Sequence, residues 1–380
     1  MTITRINSDT LAGTKKAFTT RRVPIGHFKT IVSGDVCPKL GDVVLARVDK
    51  LGSHKKIELE NGRRAQLARL DRIIVAYGNR YAPDQFEAIV GNSLAPCHLV
   101  AGGGVAANKV CKHEGMAEPT RITPIGLLAD ADGQPINLAQ YALDAVAQPQ
   151  KIHTIFVAGT AMNAGKTTTS ATLIHALSLA GYKVAGIKGT GTGSGGDTWS
   201  MLDMGARLVM DFTDAGLPST YLAPADAIER GVLNLIGHAG AKGCDVAVVE
   251  IADGLQHEET ATLLRSAKFR GAGMGIVFAA NDALGAQAGA ATLKDWGYRV
   301  VALSGLLTRS PLAIREASKS TGIDVLTLQD IRAGHLNALL GLRTGADLHP
   351  IDIPESALPK IGTGHAAAAA KAPIQKGVAA

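Results

Sequence analysis

Residues 155 to 167, IFVAGTAMNAGKT, put a lysine and a threonine directly after a glycine at the end of an apolar run, and that spacing suits a polyphosphate. A triphosphate crowds several negative charges onto neighbouring oxygens. Holding it takes converging backbone N–H groups, an ammonium over the terminal phosphates and a hydroxyl for Mg2+. Lys166 and Thr167 supply the last two, and Gly159, Thr160, Asn163, Ala164, Gly165 and Thr168 complete the candidate nucleotide-binding set, with ATP and Mg2+ as the expected ligands. Five residues separate Gly159 from Gly165, one more than in the commonest loop of this kind.

A phosphate loop does not define a reaction, so the charged residues at the ends of later apolar runs matter as much. Lys188 closes YKVAGIKG and leads into GTGTGSGGD, where a backbone almost free of side chains can approach a phosphate or carboxylate closely. Asp197, at the end of that stretch, suits either Mg2+ or the N-cap of a following helix. CDVAVVEIADGL ends an apolar run in Glu250, followed by Asp253 and Gly254. A carboxylate at the end of a buried strand needs a partner, and either Mg2+ between two phosphates or a salt bridge would serve. Asn281-Asp282 and Thr308 to Pro311 close two more such runs, where they could frame a base or act as turn residues.

The elements that must carry these residues fall into two kinds. From residue 152 to about 340, strand-like segments at 153–158, 182–188, 245–251, 274–280 and 299–304 alternate with helical ones, among them DTWSMLDMGARLVMDF at 197–212. That pattern predicts an α/β fold, a mostly parallel sheet with helices on both faces. From Gly41 the chain instead shows short β-type runs, DVVLARVDKL, KKIELENG with a turn at Asn61-Gly62, and RRAQLARLDRIIVAYG, which predict a small barrel or a strongly bent sheet. Residues 1 to 25 read as a mobile arm or an edge strand, and Leu138 to Ala147 as helical. The expected organisation is a smaller, basic, β-rich domain over 1–150, a phosphate-loop domain over 151–345, and a low-complexity, disordered tail over 346–380.

A chain of 380 residues that is 46% hydrophobic can bury two full cores. Its four scattered cysteines, and the lack of a leading apolar segment with a cleavage site, predict a reduced cytoplasmic protein. No stretch approaches the roughly 20 apolar residues of a membrane span. The net charge of +6 is uneven, since residues 1 to 72 hold 15 Lys or Arg against 7 Asp or Glu. With aromatics at only 4%, this basic excess reads as a solvated surface or a complement to an anionic partner, ahead of a nucleic-acid surface. Cys97-His98 and Cys111-Lys112-His113 have the residue types of a tetrahedral zinc site, but an adjacent Cys and His rarely both face one ion, so buried cysteines and loop histidines are the plainer reading. His257, just after the run that ends in Glu250, could contact substrate, but a solvent-facing helix start is the plainer reading.

The segments around the loop resemble dethiobiotin synthetase and its relatives among the deviant P-loop proteins, which include the cobyrinic and cobyric acid synthases. The family's GTxxxxGKT is matched by Gly159, Thr160, Gly165, Lys166 and Thr167, its strand-ending lysine by Lys188, its following aspartate by Asp197, and its VEGAGG-like strand end by Glu250 and Gly254. The resemblance covers about residues 152 to 335 and implies that Thr167, Asp197 and Glu250 hold Mg2+. It departs at Ala161, Asn163, Gly189 and Ile251, which points away from biotin chemistry itself. A looser similarity reaches two-domain proteins with a related P-loop half, including acyltransferases acting on D-amino acids.

What the resemblance implies is ATP-dependent activation of a carboxylate or carbamate on a small anionic substrate through an acyl phosphate, in a homodimer, with Lys166 and Lys188 as the catalytic lysines. Three rivals share the nucleotide residues: a small-molecule kinase, an acyltransferase, and a switch ATPase working with a protein or nucleic-acid partner. The last normally carries a second lysine early in its loop, and Ala161 to Ala164 contain none.

Overall fold

The computed structural model describes residues 1–7 and 10–344, so the expected tail over 346–380 lies outside the described residues. Two sheets dominate, and both belong to one compact unit. Among the described residues no helix is long and apolar enough to cross a membrane.

The first sheet is built from β1 (Thr2–Arg5), β2 (Lys15–Lys16), β3 (Thr30–Ser33), β4 (Val43–Lys50), β7 (Arg72–Tyr77), β8 (Arg80–Tyr81), β9 (Phe86–Ile89), β10 (Cys97–Ala101), β11 (Val105–Lys112) and β12 (Thr120–Ala129), with β5 (Lys56–Glu58) and β6 (Arg64–Gln66) as a separate hairpin. Its hydrogen-bonded ladders close on themselves: β12 pairs β4, β4 pairs β7, β7 pairs β11, β11 pairs β10, and β10 returns to β12. This is the small barrel that the short alternating runs predict. Closure works because alternate residues share one interior, where Val44, Ala46 and Val48 meet Ile73, Val75, Tyr77 and Leu99. The opposite faces of the same strands, through Val43, Leu45, Ile74 and Ala76, pack on Val23 and Phe28.

The chain start behaves as an edge strand and not as a mobile arm, since β1 pairs antiparallel with β3 and Ala17, Phe18, Thr19 and Thr20 are buried beyond it. The helix expected over Leu138 to Ala147 shrinks to one 3-10 turn, Leu138–Tyr141, capped by Asn137 and Gln140.

The second sheet is wholly parallel. It holds β13 (His153–Gly159), β14 (Val184–Lys188), β15 (Leu208–Asp211), β16 (Val246–Glu250), β17 (Gly275–Ala279) and β18 (Val300–Ser304) in the order β15-β14-β16-β13-β17-β18. Five of these fall where the apolar runs predict them. β15 corrects the sequence reading, because the helix begun at Asp197 is only α2 (Gly196–Asp203) and the chain then turns through Gly205 at positive φ to add an edge strand on β14.

Helices cover both faces, and the strand period decides which side chain goes where. Ile155 and Val157 point to the layer of α1 (Lys166–Leu179), α8 (Leu328–Arg332) and α9 (His335–Leu339). Phe156 and Ala158 point to the layer of α3 (Ala225–Ala241), α4 (Glu258–Arg265), α5 (Ala267–Ala272), α6 (Ala283–Asp295) and α7 (Pro311–Thr321). Fixed between two apolar layers, the carboxyl ends of β13, β14 and β16 lie side by side, and there the charged residues collect.

Candidate nucleotide site

β13 ends at Gly159 and α1 begins at Lys166, so the residues between them are forced into a tight loop. Asn163 takes φ +62° and Gly165 takes φ +99°, and the second is a left-handed position immediately before the helix where glycine carries no steric cost. Neighbouring backbone leaves little room. A Cβ on Gly305 would lie 2.3 Å from the Ala164 carbonyl, and a Cβ on Gly254 would lie 2.1 Å from that of Thr160. The loop is pinned from outside as well: Leu306 N donates to Ala164 O at 3.1 Å, Thr160 N to Ala279 O at 2.9 Å, and the Asn163 amide to Asp84 of the barrel region. The fold is that of a phosphate-loop α/β sheet.

Beside the loop opens a cavity of about 430 Å3, lined by Asn163, Gly165, Lys166, Thr167 and Thr168 and, across from them, by Lys188, Asp197 and Glu250. Gly159, Thr160 and Ala164 shape the loop behind this wall. The three residues that the resemblance assigns to metal come together here: Thr167 Oγ1 donates at 3.0 Å to Glu250 Oε1 and lies 3.1 Å from Asp197 Oδ1. Glu250 is 1% exposed, and its second oxygen, Oε2, is buried with no hydrogen-bond partner. An orphaned carboxylate oxygen beside a hydroxyl and a second carboxylate is a donor set that fits Mg2+ and its waters.

Lys188 does something the sequence reading did not anticipate. Its Nζ sits 2.5 Å from Asp197 Oδ2 and 2.6 Å from Glu250 Oε1, bridging both carboxylates. Burial alone would lower its pKa, but Asp197 and Glu250 outweigh burial and hold the ammonium above the ordinary lysine value. The same lysine outweighs the effect of burial on Asp197 and keeps that carboxyl below its usual range. Lys166 is placed otherwise. Its Nζ donates to the Ala161 carbonyl at 2.7 Å, and burial, reinforced by repulsion from Lys188, pushes it down to about 8.

Two further charged groups line the cavity and were absent from the candidate set. Asp253, at φ +62°, has its carboxyl raised by burial, with His257 and the two lysines opposing. Its only sequence signal is the Asp-Gly pair three residues after Glu250. Arg80 comes from β8 of the barrel region, with no local pattern to mark it. His257 is not solvent-facing: it is buried with its ring 4.5 Å from Tyr81 and 5.7 Å from Tyr221. The helix start itself holds, since His257 immediately precedes α4, but Tyr81 arrives from the other sheet and covers the ring.

The loops proposed to frame a base act as helix caps, Asp282 accepting from Gly285 N at 2.7 Å and Ser310 from Ala313 N at 3.3 Å, and neither lines the cavity. The Cys-His pairs do not converge. Cys97 is buried, His98 accepts from Lys109 N at 3.3 Å, and Cys111 is exposed beside Glu87. Among the described residues no group of three or more His, Cys, Asp or Glu could hold a metal ion; the donor set gathered at Thr167 is two carboxylates and one hydroxyl.

No family model matches this chain, and neither does any curated protein. Among solved structures it is similar to the signal recognition particle receptor FtsY from Elizabethkingia anophelis, at 16% identity and a TM-score of 0.34 over 54% of this chain and 68% of that one. It is also similar to the signal recognition particle 54 kDa protein from Aeropyrum pernix K1 in complex with GDP, at 19% identity and a TM-score of 0.33 over 52% and 50% of the two chains. FtsY from Mycoplasma mycoides matches at 16% identity and 0.32 over 50% and 69%. At these scores the chemistry rests on the site's own geometry.

Proposed function

We propose that the chain binds Mg2+ and ATP at the Gly159 to Thr168 loop and transfers the terminal phosphoryl group to a small anionic acceptor, with the barrel region up to about residue 150 shaping the acceptor side. The observation that carries this reading is the convergence of Thr167, Asp197 and the half-satisfied Glu250 beside Lys166 in one cavity to which the barrel region adds Arg80, Tyr81 and Ala82. Bound Mg2+ would neutralise charge on the phosphate oxygens. Lys166, released from the Ala161 carbonyl, would place its ammonium on the terminal phosphates, while the loop N–H groups orient them. Lys188 holds Asp197 and Glu250 in register, and with Thr167 these two carboxylates would hold the cation. Activation of a carboxylate or carbamate as an acyl phosphate, as in the ligases the sequence resembles, is the form of this chemistry that best suits an anionic acceptor; a kinase or acyltransferase would use the same nucleotide residues.

A second reading, a switch ATPase, draws on one observation: the Asp253-Gly254 turn lies so close to Thr160 that movement there would follow the state of the loop. One experiment separates the two. ADP formation from Mg2+–ATP is measured for wild type and Lys166→Ala, alone, with a small-metabolite extract, and with DNA or RNA. Stimulation by metabolites that falls on the order of 10²–10³-fold in the variant supports transfer to a small acceptor. Turnover indifferent to metabolites but raised by nucleic acid overturns it in favour of the switch.

A further inference from the structure

Four Lys or Arg residues are buried among the described residues: Lys16, Arg80, Lys166 and Lys188. A buried cation is costly unless a counter-charge compensates it. Lys16 has Glu60 at 2.5 Å, and Lys188 has both Asp197 and Glu250. Lys166 and Arg80 have no carboxylate within ion-pair distance, and both line the same cavity. Lys166 is accounted for by the nucleotide. Arg80 is not.

Arg80 is 7% exposed. Its Nη2 donates to Gln85 Oε1 at 2.7 Å, its Nη1 lies 3.4 Å from His54 Nε2, and its Nε is buried with no partner at all. The guanidinium is 5.8 Å from the centre of the Phe86 ring. The carboxylate whose charge it feels is Asp253, which lines the same cavity without forming an ion pair. Arg80 also lines a second cavity of about 500 Å3 on the barrel side, and Thr192 of the glycine-rich loop is common to both. That second cavity adds Lys55, Lys56 and Arg64, while its carboxylate, Glu58, is already engaged by Trp199 Nε1 at 2.5 Å and Gly195 N at 3.0 Å. His54 adds no charge of either sign, since burial and the adjacent Arg80 push it down to about 4 and leave it neutral.

We infer that Arg80 is the receptor for an oxyanion, a carboxylate or phosphate group, of the acceptor substrate, whose body occupies the barrel-side cavity while its reacting end faces Lys166. The planar fork of an arginine matches two oxygens of such a group, which one buried lysine would not. The inference rests on the proposed transfer to a small acceptor and names where that acceptor is held.

The test is calorimetric titration of the full chain with succinate and, separately, with inorganic phosphate, in wild type, Lys166→Ala, Arg80→Met and Gln85→Glu. Gln85→Glu gives Arg80 a built-in carboxylate where an amide oxygen now accepts from it, so it satisfies the cation without removing it. The expected result is succinate binding in wild type and Lys166→Ala alike, weakened at least about tenfold in both Arg80→Met and Gln85→Glu, with an unchanged or higher melting temperature in Gln85→Glu. Whichever anion loses more affinity in the Arg80 variants identifies the group as carboxylate or phosphate. Wild type that binds neither anion, or Gln85→Glu that binds both anions as well as wild type does, overturns the assignment. So does an Arg80→Met protein that loses affinity for Mg2+–ATP but not for succinate, since Arg80 would then serve the nucleotide. Titration of wild type with Mg2+–ATP stands apart from these arms: its failure sinks the nucleotide reading and leaves the succinate comparison intact.

Discussion

The two sheets treat the strand-borne charges at the shared cavity differently. In the parallel sheet, β14, β16 and β17 are buried along their whole length, and the charges at their ends are paired, Lys188 with Asp197 and Glu250. In the barrel region strands alternate buried and exposed positions, as in β12, and Arg80, the one buried arginine among the described residues, forms no ion pair. A paired buried charge holds a site in shape, whereas an unpaired one leaves room for a ligand's charge. The join between the regions fits this division. Arg21 reaches from the barrel side to Asp211 at 3.1 Å and Asp214 at 2.6 Å, Tyr221 donates to Glu87 at 2.9 Å, and the Phe18 and Trp199 rings meet at 6.0 Å. The barrel region is thus fastened to the chain that follows β14, from Gly195 through Trp199 to Tyr221, and its unpaired arginine faces the shared cavity.

That contrast can be broken at its paired end first. Lys188→Met should cost about 3–5 kcal/mol of unfolding free energy in urea, because it strands Glu250 as an uncompensated buried charge, and the loss should shrink when Glu250→Gln is added. A cost no larger than that of Arg80→Met would erase the distinction drawn between the two cations.

The next effect is one of pH. Lys166 has its pKa lowered to about 8 by burial and by Lys188, and a bound polyphosphate favours its charged form, so binding raises that pKa. Affinity for Mg2+–ATP should therefore be fully present below pH 8 and decline above it, by up to about tenfold per pH unit, with proton uptake on binding seen by calorimetry in buffers of different ionisation enthalpy. An affinity flat from pH 7 to 9.5 would mean that Lys166 is not the group meeting the phosphates.

The smallest effect sharpens the join itself. Trp199→Phe removes the indole N–H that Glu58 accepts while keeping the ring against Phe18, and should cost about 1 kcal/mol, leaving the succinate affinity of the Arg80 site in place. If succinate binding falls with it, Glu58 is positioning the second cavity and not only fastening the loop.

How much of this was legible beforehand depends on how local the signal is. The strands around Phe156, Ile187, Val248, Phe278 and Ala302 were legible because a strand buried on both faces must be a continuous apolar run, and few other structures need one. The short edge strand Leu208–Asp211 was not, because LVMD is half-exposed and continues a helical pattern from α2 without a break in composition. His257 was legible as a helix start but not as buried, because nothing beside it in sequence announces that Tyr81, more than a hundred residues earlier, will cover it.

The sequence by itself determined the phosphate loop, because its chemistry needs Gly165, Lys166 and Thr167 adjacent in the chain, and it determined which strands end in Lys188 and Glu250, because apolar runs fix where those charges emerge. Only the tertiary structure decided that Lys188 bridges Asp197 and Glu250, that Glu250 keeps one oxygen unsatisfied, and that Arg80 is a buried cation without a counter-charge. Pairing and burial are properties of residues distant in sequence but close in space. A chain read in order shows which charges are present, and only the packed molecule shows which have been neutralised.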